Sequence, residues 1–375
     1  MKNYDVIIVG GGPAGSILAA RLSSELKVLI VERRFLQTPH RLYEREKSCG
    51  GMLDETAQKA LAQLQIPLPQ HVLTGPQVFA IRAIDMENNM ERYYPKHYLN
   101  IDRARFDAHL MALAAARPNV TVWEGAIVNG FQEEKNQISV KVRLANGKLE
   151  TVKTSILVGA DGAGSVIRRK IVKASEKKKE PRIYASLQEW HPMPEALPYY
   201  VSLFDEEVTD FYSWIIPEDG KMIIGSAMPA GPDVKKRFEK FKQDLTKKGF
   251  DVSSPIKTRG ALILRPRPWG SVVSGKGRVF LIGEAAGLIS PSSAEGISFA
   301  LRSGAKLAKQ FPAKLPKGKP GLLRLQLGYQ KSLLPLKISI ALKSLKSPIM
   351  YGKKWRGLVF KSKALSMKVD GKVNG

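Results

Sequence analysis

A glycine-rich turn between two apolar strands, spanning Tyr4 to Arg33, constrains the fold more than any other stretch. Val6 to Val9 form a continuous apolar run, the pattern of a strand buried on both faces. Gly10, Gly12 and Gly15 follow in G-x-G-x-x-G spacing, with Pro13 and Ala14 between them, and Ser16 to Leu26 reads as a helix. Val28 to Val31 is a second apolar strand, closed by Glu32 and Arg33. Together these predict a βαβ dinucleotide-binding unit. Gly10 permits the tight turn, Gly12 lets a pyrophosphate approach the backbone, and Gly15 allows the helix to pack closely on the strand. The helix N-terminus offers free N–H groups and the positive end of its dipole to phosphates. Glu32 lies about 20 residues past the turn, where a carboxylate accepts hydrogen bonds from ribose hydroxyls.

A chain of 375 residues has room for more than this unit, and its 43% apolar content rules out wholesale disorder. No stretch supplies the ~18 uninterrupted apolar residues of a membrane span. The chain enters a strand by Val6 with no cleavage pattern before it, so no secretory signal is expected. Cys49 is the one cysteine, and His40, His71, His97, His109 and His191 show no ligand spacing. Neither a disulfide nor a metal site is expected, and the setting reads as cytoplasmic. The net charge of +26 is uneven: from Leu301 onward there are 18 Lys and Arg against the single acid Asp370. Such a tail wants an anionic partner.

Further along, Lys47 to Met52 holds the pair Gly50-Gly51, a sign of backbone pressed close to a ligand. Asp54 to Leu64 and the stretch opened by Asp102 and Arg103 read as helices, with Asp102 an N-cap. Between them, Gln70 to Tyr98 lacks clear periodicity but is aromatic near its end. Segments starting at Val120, Ala126, Ile138 and Lys148 alternate as antiparallel strands, with Asn146-Gly147 a hairpin turn. Ser155 to Val158 is an apolar strand ending at Asp161-Gly162. Lys170 to Lys179 reads as a solvated bridge. Strands from Arg182 to Ala227 and at Ala261 to Leu264 form a mainly antiparallel region, with a helix from Val234 to Lys248. Arg278 to Ile282 returns to an apolar strand and runs into Gly283-Glu284-Ala285-Ala286-Gly287.

Three apolar strands thus end in glycine- and acid-bearing turns, and the carboxyl ends of parallel strands are where open α/β sheets bind ligands. The Gly10/Gly12/Gly15 fingerprint, Asp161-Gly162 and Gly283 to Gly287 resemble the FAD-binding fold of the para-hydroxybenzoate hydroxylase superfamily. Glu284 stands where that superfamily usually has Asp. Within it, Tyr212-Ser213-Trp214-Ile215-Ile216-Pro217 and Cys49-Gly50-Gly51 are similar to motifs of the geranylgeranyl reductase group, over about Met1 to Gly304. The resemblance implies an α/β fold: a Rossmann-like FAD-binding domain assembled from residues 1–75, 100–180 and 275–305. Residues 76–99 and 181–274 would form an inserted, mainly antiparallel β substrate domain, and 306–375 a basic helical tail.

The resemblance implies FAD as cofactor and reduction of carbon–carbon double bonds in an isoprenoid or other lipid-like substrate. Its electron donor would be NAD(P)H or a reduced redox protein. Arg103 is a candidate for neutralising the pyrophosphate, and Gly296 and Ile297 open a helix whose N–H groups face the flavin. Arg33, Ala126, Gly50, Gly51, Asp161, Gly162, Gly283, Glu284 and Gly287 complete the expected cofactor contacts. Tyr212 and Trp214, two apart on a strand, share a face and would wall an apolar pocket. Cys49 would donate a proton or shape the flavin site. Y-S-W-I-I-P is also close to the W-x-W-x-I-P of flavin halogenases, so a monooxygenase or halogenase stays open, as does an electron-transfer flavoprotein. In the tail, Leu334, Ile338, Ala341, Leu342 and Leu345 recur at helical spacing amid lysines. That reads as a basic amphipathic helix for an anionic membrane surface, a partner, or the protein's own body. No helix-turn-helix, zinc or RNA-module signature accompanies the charge, so nucleic acid is not the expected partner.

Overall fold

The apolar runs become two sheets in the computed structural model, which describes residues 2–172, 180–268, 270–316 and 318–369. Most of the charged bridge over Lys170 to Lys179 lies outside them. Strand β1 (Asn3–Val9), helix α1 (Pro13–Arg21) and strand β2 (Val28–Val31) form the expected βαβ unit. A short β3 (Met52–Leu53), α2 (Glu55–Gln63), the pair β4 (Val78–Asp85) and β5 (Met90–Asn100), and α3 (Arg103–Ala115) come next. They are followed by β6 (Val120–Trp123), β7 (Ile127–Glu133), β8 (Ile138–Arg143), β9 (Leu149–Gly159) and α4 (Val166–Ile171). The middle of the chain supplies β10 (Arg182–Pro192), β11 (Tyr200–Phe204), β12 (Ser213–Glu218), β13 (Lys221–Pro229), α5 (Val234–Lys247) and β14 (Lys257–Arg265). Last come β15 (Gly275–Lys276), β16 (Val279–Leu281), α6 (Ile297–Ala308), α7 (Gly318–Ser332), α8 (Leu334–Tyr351) and α9 (Lys353–Ser362).

The first sheet has the order β15-β16-β9-β1-β2-β6, with the β7–β8 hairpin attached to β9. From β16 to β6 all neighbours are parallel. The two sequence segments around Thr154 and Ser155 are one 11-residue strand, β9. Its first half pairs antiparallel with β8, and its second half lies parallel to β1. The composition changes there because Ile156, Leu157 and Val158 are buried in the parallel core while the earlier half alternates.

The second sheet has the order β14-β10-β13-β12-β11-β4-β5-β3 and is antiparallel except where β11 meets β4. The region from Gln70 to Tyr98 is more regular than its sequence suggests. In β5 charged and aromatic residues mix around Pro95, so the usual apolar alternation of a strand is missing. One face of this sheet, with Val201, Ile215 and Ile224, packs on Phe238, Phe241 and Leu245 of α5. The other face is aromatic: Tyr184, Trp190, Tyr200, Phe211 and Trp214 cluster there with Tyr351 and Phe360 from the C-terminal helices.

Those helices fasten to both sheets. Tyr329 of α7, fully buried, donates to the carbonyl of Leu281 at 3.0 Å. In α9 the buried Arg356 pairs with fully buried Asp85 at 2.8 Å and with Glu87. Among the described residues no helix is long and apolar enough to cross a membrane. Removing one partner of a buried, hydrogen-bonded ion pair leaves the other charge uncompensated, so Arg356→Ala is expected to destabilise the fold by about 3–5 kcal/mol. Denaturant unfolding checks this. A loss below about 1 kcal/mol, the size for an exposed pair, would contradict the burial of Asp85.

Candidate flavin site

The three glycine-bearing turns meet. Val9 of β1 pairs with Gly159 of β9, which in turn pairs with Leu281 of β16, so the three strands end level. Gly10, at φ +105°, lies against Ala160, whose carbonyl oxygen a Cβ would strike. Gly15 is pressed on the carbonyl of Gly10. A Cβ on Gly283 would stand 3.0 Å from that of Ala14, and one on Gly162 would stand 3.9 Å from Glu284 Oε2. Gly12 differs: the nearest atom to its hypothetical Cβ is Arg34 Nη2 at 3.7 Å. Two of the fingerprint glycines close the protein's own packing and the middle one keeps an open side, as a cradle for a pyrophosphate requires. Gly287, at φ +79°, packs on the carbonyl of Ser271 instead of facing the turn cluster.

At the end of β2, Glu32 is buried. Its Oε2 accepts from the Gly11 N–H at 2.6 Å, and its Oε1 accepts from Arg34 N and Nε, each at 2.9 Å. Arg34 also reaches Asp107 Oδ2 at 2.6 Å, and Arg103 forks onto the same carboxylate at 2.7 and 3.2 Å. Arg33 is exposed, and Ala126 N donates to the carbonyl of Glu32 at 3.0 Å. Burial is the largest influence on Glu32 and Asp107 and pushes both up. The facing arginines outweigh it and hold both carboxylates below their ordinary values of 4.5 and 3.8. Arg34 and Asp107 escaped the sequence reading. Asp107 was visible only as the i+4 neighbour of Arg103 on a helix.

At the other end Lys47 pairs with Glu284 Oε2 at 3.2 Å, while Glu284 Oε1 accepts from Leu264 N at 3.1 Å. The longer side chain at this position is thus tied into the second sheet. Ser48 donates to Gln188 Oε1. Gly50 has no room for a Cβ beside Ile216, and Gly51, at φ +64°, accepts from Ile101 N at 2.7 Å. The Cys49-Gly50-Gly51 loop therefore lies against Ile216 of β12. Tyr212 and Trp214 have ring centroids 5.6 Å apart, and Tyr212 donates to the carbonyl of Ser293 at 2.7 Å. Tyr98, Tyr200 and Tyr351 extend this wall: Tyr98 meets Tyr200 edge-on at 6.0 Å, and Tyr351 stacks on Tyr212 at 6.5 Å. Cys49, half-buried, lies within electrostatic reach of Tyr212 and Arg103. Burial raises the phenols of Tyr98, Tyr200 and Tyr212, so they stay protonated near neutral pH.

Several buried polar atoms here lack a protein partner. Trp214 Nε1 and Gln188 Nε2 are two such donors, and Asp161 Oδ1 is such an acceptor. Gln188 and Trp214 both pair with Gly225, so their side chains share the aromatic face. Asp161 Oδ2 accepts from Val166 N, the first N–H of α4, at 2.8 Å, beside the N-cap Ser165. Burial raises its carboxyl, against the bonds from Ser165 and the backbone. Gly296 is the N-cap of α6 and Ile297 its first residue. Glu295 is half-buried beside them and accepts from Ser298 N at 2.7 Å; desolvation, then Asp54, raise its carboxyl. Open room at Gly12 beside a face of aromatic rings is what a bound dinucleotide with an apolar ring end needs.

The profile of the FAD binding domain family matches residues 3–325, and the chain belongs to that family. Protein CbrA of Escherichia coli O1:K1 / APEC is 34% identical over 347 residues, covering 92% of this chain and 90% of that protein. In fold the chain is similar to a geranylgeranyl bacteriochlorophyll reductase-like protein from Thermoplasma acidophilum, at a TM-score of 0.80, 20% identity, and coverage of 98% and 93%. It is also similar to p-nitrophenol 4-monooxygenase PnpA from Pseudomonas putida DLL-E4, at 0.68, 13% identity, and coverage of 97% and 95%. FAD is the cofactor, and the chain is of the FAD-dependent oxidoreductase type.

Two outcomes follow from the Glu32 network. A hydrogen bond to a charged group contributes about 1.5–3 kcal/mol, so Glu32→Gln is expected to weaken FAD binding roughly tenfold to a hundredfold. Quenching of flavin fluorescence on titrating the apoprotein measures it. Carboxylates held below their unfolded values add stability above those values and lose it as pH falls through the folded ones. The melting temperature is expected to drop on acidification below about pH 4.5, the ordinary Glu value, and the drop to be shallower in Glu32→Gln.

Proposed function

We propose that the protein reduces a carbon–carbon double bond of an apolar, isoprenoid or lipid-like substrate. The observation that carries this reading is the aromatic wall of Tyr98, Tyr200, Tyr212 and Trp214, standing beside the Cys49-Gly50-Gly51 loop with a thiol at its edge. When bound and reduced, FAD supplies a hydride to one alkene carbon, and NAD(P)H or a reduced redox protein restores the flavin. The chain's own residues must hold the pyrophosphate at Gly12, orient the adenosine ribose with Glu32, and exclude water with the aromatic rings. They must also deliver a proton to the second alkene carbon. Tyr212 Oη keeps its proton but directs it to the Ser293 carbonyl. The Cys49 thiol is therefore the proton donor in this reading, with Tyr212 and Trp214 packing against the chain of the substrate. The likeness in fold to a reductase-like protein supports the reading, and the matching order Tyr212-x-Trp214 supports it further.

A flavin monooxygenase or halogenase is the second reading, favoured by the likeness in fold to PnpA and by the Trp214-Ile215-Ile216-Pro217 segment, which is close to the halogenase motif. The two part company over oxygen. The photoreduced protein, mixed anaerobically with geranylgeranyl-bearing lipids, is expected to regain its oxidised flavin spectrum with a saturated bond appearing in the lipid. Absence of reoxidation by any prenyl compound, together with oxygen consumption coupled to product, would establish the monooxygenase. General acid catalysis typically contributes 10²–10⁴-fold, so Cys49→Ala is expected to slow reoxidation by about a hundredfold without loss of bound FAD.

A further inference from the structure

Helix α8 is apolar on two opposite faces. Leu336, Ile340, Ser344 and Tyr351 point into the protein and are buried. Leu334, Ile338, Leu342, Leu345 and Ile349 recur at i, i+4, i+8, i+11 and i+15, which places them along the opposite side. They are 54%, 51%, 58%, 69% and 46% exposed. The apolar stripe visible in the sequence is therefore not the face that packs on the body. Apolar side chains scattered singly on a surface are ordinary, but five in one row form a patch that asks for a covering. Trp355, 61% exposed, stands at the start of α9 immediately beyond.

The charge around the stripe selects the occupant. Lys337 and Lys346 flank it, Lys353 and Lys354 follow it, Lys343 turns inward over the Phe299 ring, and no Asp or Glu occurs in residues 301–369. Apolar side chains with a Trp, ringed by lysines on a helix that does not cross a membrane, suit burial in the headgroup boundary of an anionic bilayer. A neutral bilayer or an uncharged protein surface would leave that positive field unanswered. We propose that α8 and α9 dock the protein on an anionic phospholipid surface through Ile338, Leu342, Leu345 and Trp355. The inner face of the same helix ends at Tyr351, stacked on Tyr212. Docking here would set the aromatic wall one helix away from the bilayer. The inference rests on the reductase reading for what the enzyme takes from the membrane, and not for the binding itself.

The test is co-sedimentation of the full-length, FAD-loaded protein with vesicles of phosphatidylglycerol and phosphatidylcholine, against pure phosphatidylcholine, at low and high salt. Binding to the anionic vesicles is expected, weakened by salt and negligible on the neutral ones. The triple variant Ile338→Glu, Leu342→Glu, Leu345→Glu should bind at least about tenfold less, with unchanged melting temperature and flavin content. The variant Lys346→Ser, Lys353→Ser, Lys354→Ser, which alters exposed charges alone, should lose on the order of a hundredfold on anionic vesicles. Equal binding to both vesicle types, or wild-type binding by both variants, would overturn the proposal. So would a dimer in light scattering that the triple variant dissolves, because a second copy would then cover the stripe. Flavin reoxidation by detergent-dispersed prenyl lipid should be the same in the triple variant as in the wild type. That readout separates a failure of docking from a failure of the reductase reading.

Discussion

Everything in the site depends on the register of three parallel strands. Because Val9, Gly159 and Leu281 lie side by side, the turns that follow β1, β9 and β16 emerge at one level. Gly10 then meets Ala160 across a distance that admits no side chain, and a Cβ on Gly283 would press on that of Ala14. A Cβ at position 10 would run into the carbonyl oxygen of Ala160. The cofactor cradle is therefore a consequence of sheet register, and the loops between these strands are free to carry the second sheet.

The two ends of the site are held by different physics. At the end of β2, Glu32, Arg34, Asp107 and Arg103 are a relay of charges that satisfy one another. Buried ion pairs of this kind add little net stability, yet breaking one leaves a costly charge, so they fix geometry more than they raise stability. At the other end the surroundings are aromatic, with Tyr98, Tyr200, Tyr212 and Trp214 on one face of the second sheet. Such a surface gains by covering an apolar ligand. Lys47 with Glu284, and Ser48 with Gln188, are the stitches that draw the two sheets together between these ends.

The βαβ unit and the three turns were legible because each depends on local sequence and on glycines that only one backbone path explains, and Cys49-Gly50-Gly51 and Y-S-W-I-I-P were legible as two separate motifs. Strands β4 and β5 were not, since aromatic and charged residues around Pro95 hide their alternation. Arg34 and Asp107 gave no signal of their own, for a buried ion pair is made by tertiary approach. Tyr351 lies far from the other aromatics in sequence and joins them only when α8 docks. The tail's amphipathic pattern was visible, but which face would turn inward was not. Burial of Leu336 and Ile340 in place of Ile338 and Leu342 is decided by the shape of the surface beneath.

The central claim is that the nucleotide cradle and the aromatic face of the second sheet form one continuous site, with the flavin between the Cys49-Gly50-Gly51 loop and the wall of Tyr212 and Trp214. A crystal structure of the FAD complex measures it most directly. The account predicts the pyrophosphate against Gly12, the ribose on Glu32, and the isoalloxazine ring in van der Waals contact with the Gly50 backbone. An isoalloxazine ring turned away from that loop, with solvent between it and Trp214, would contradict it.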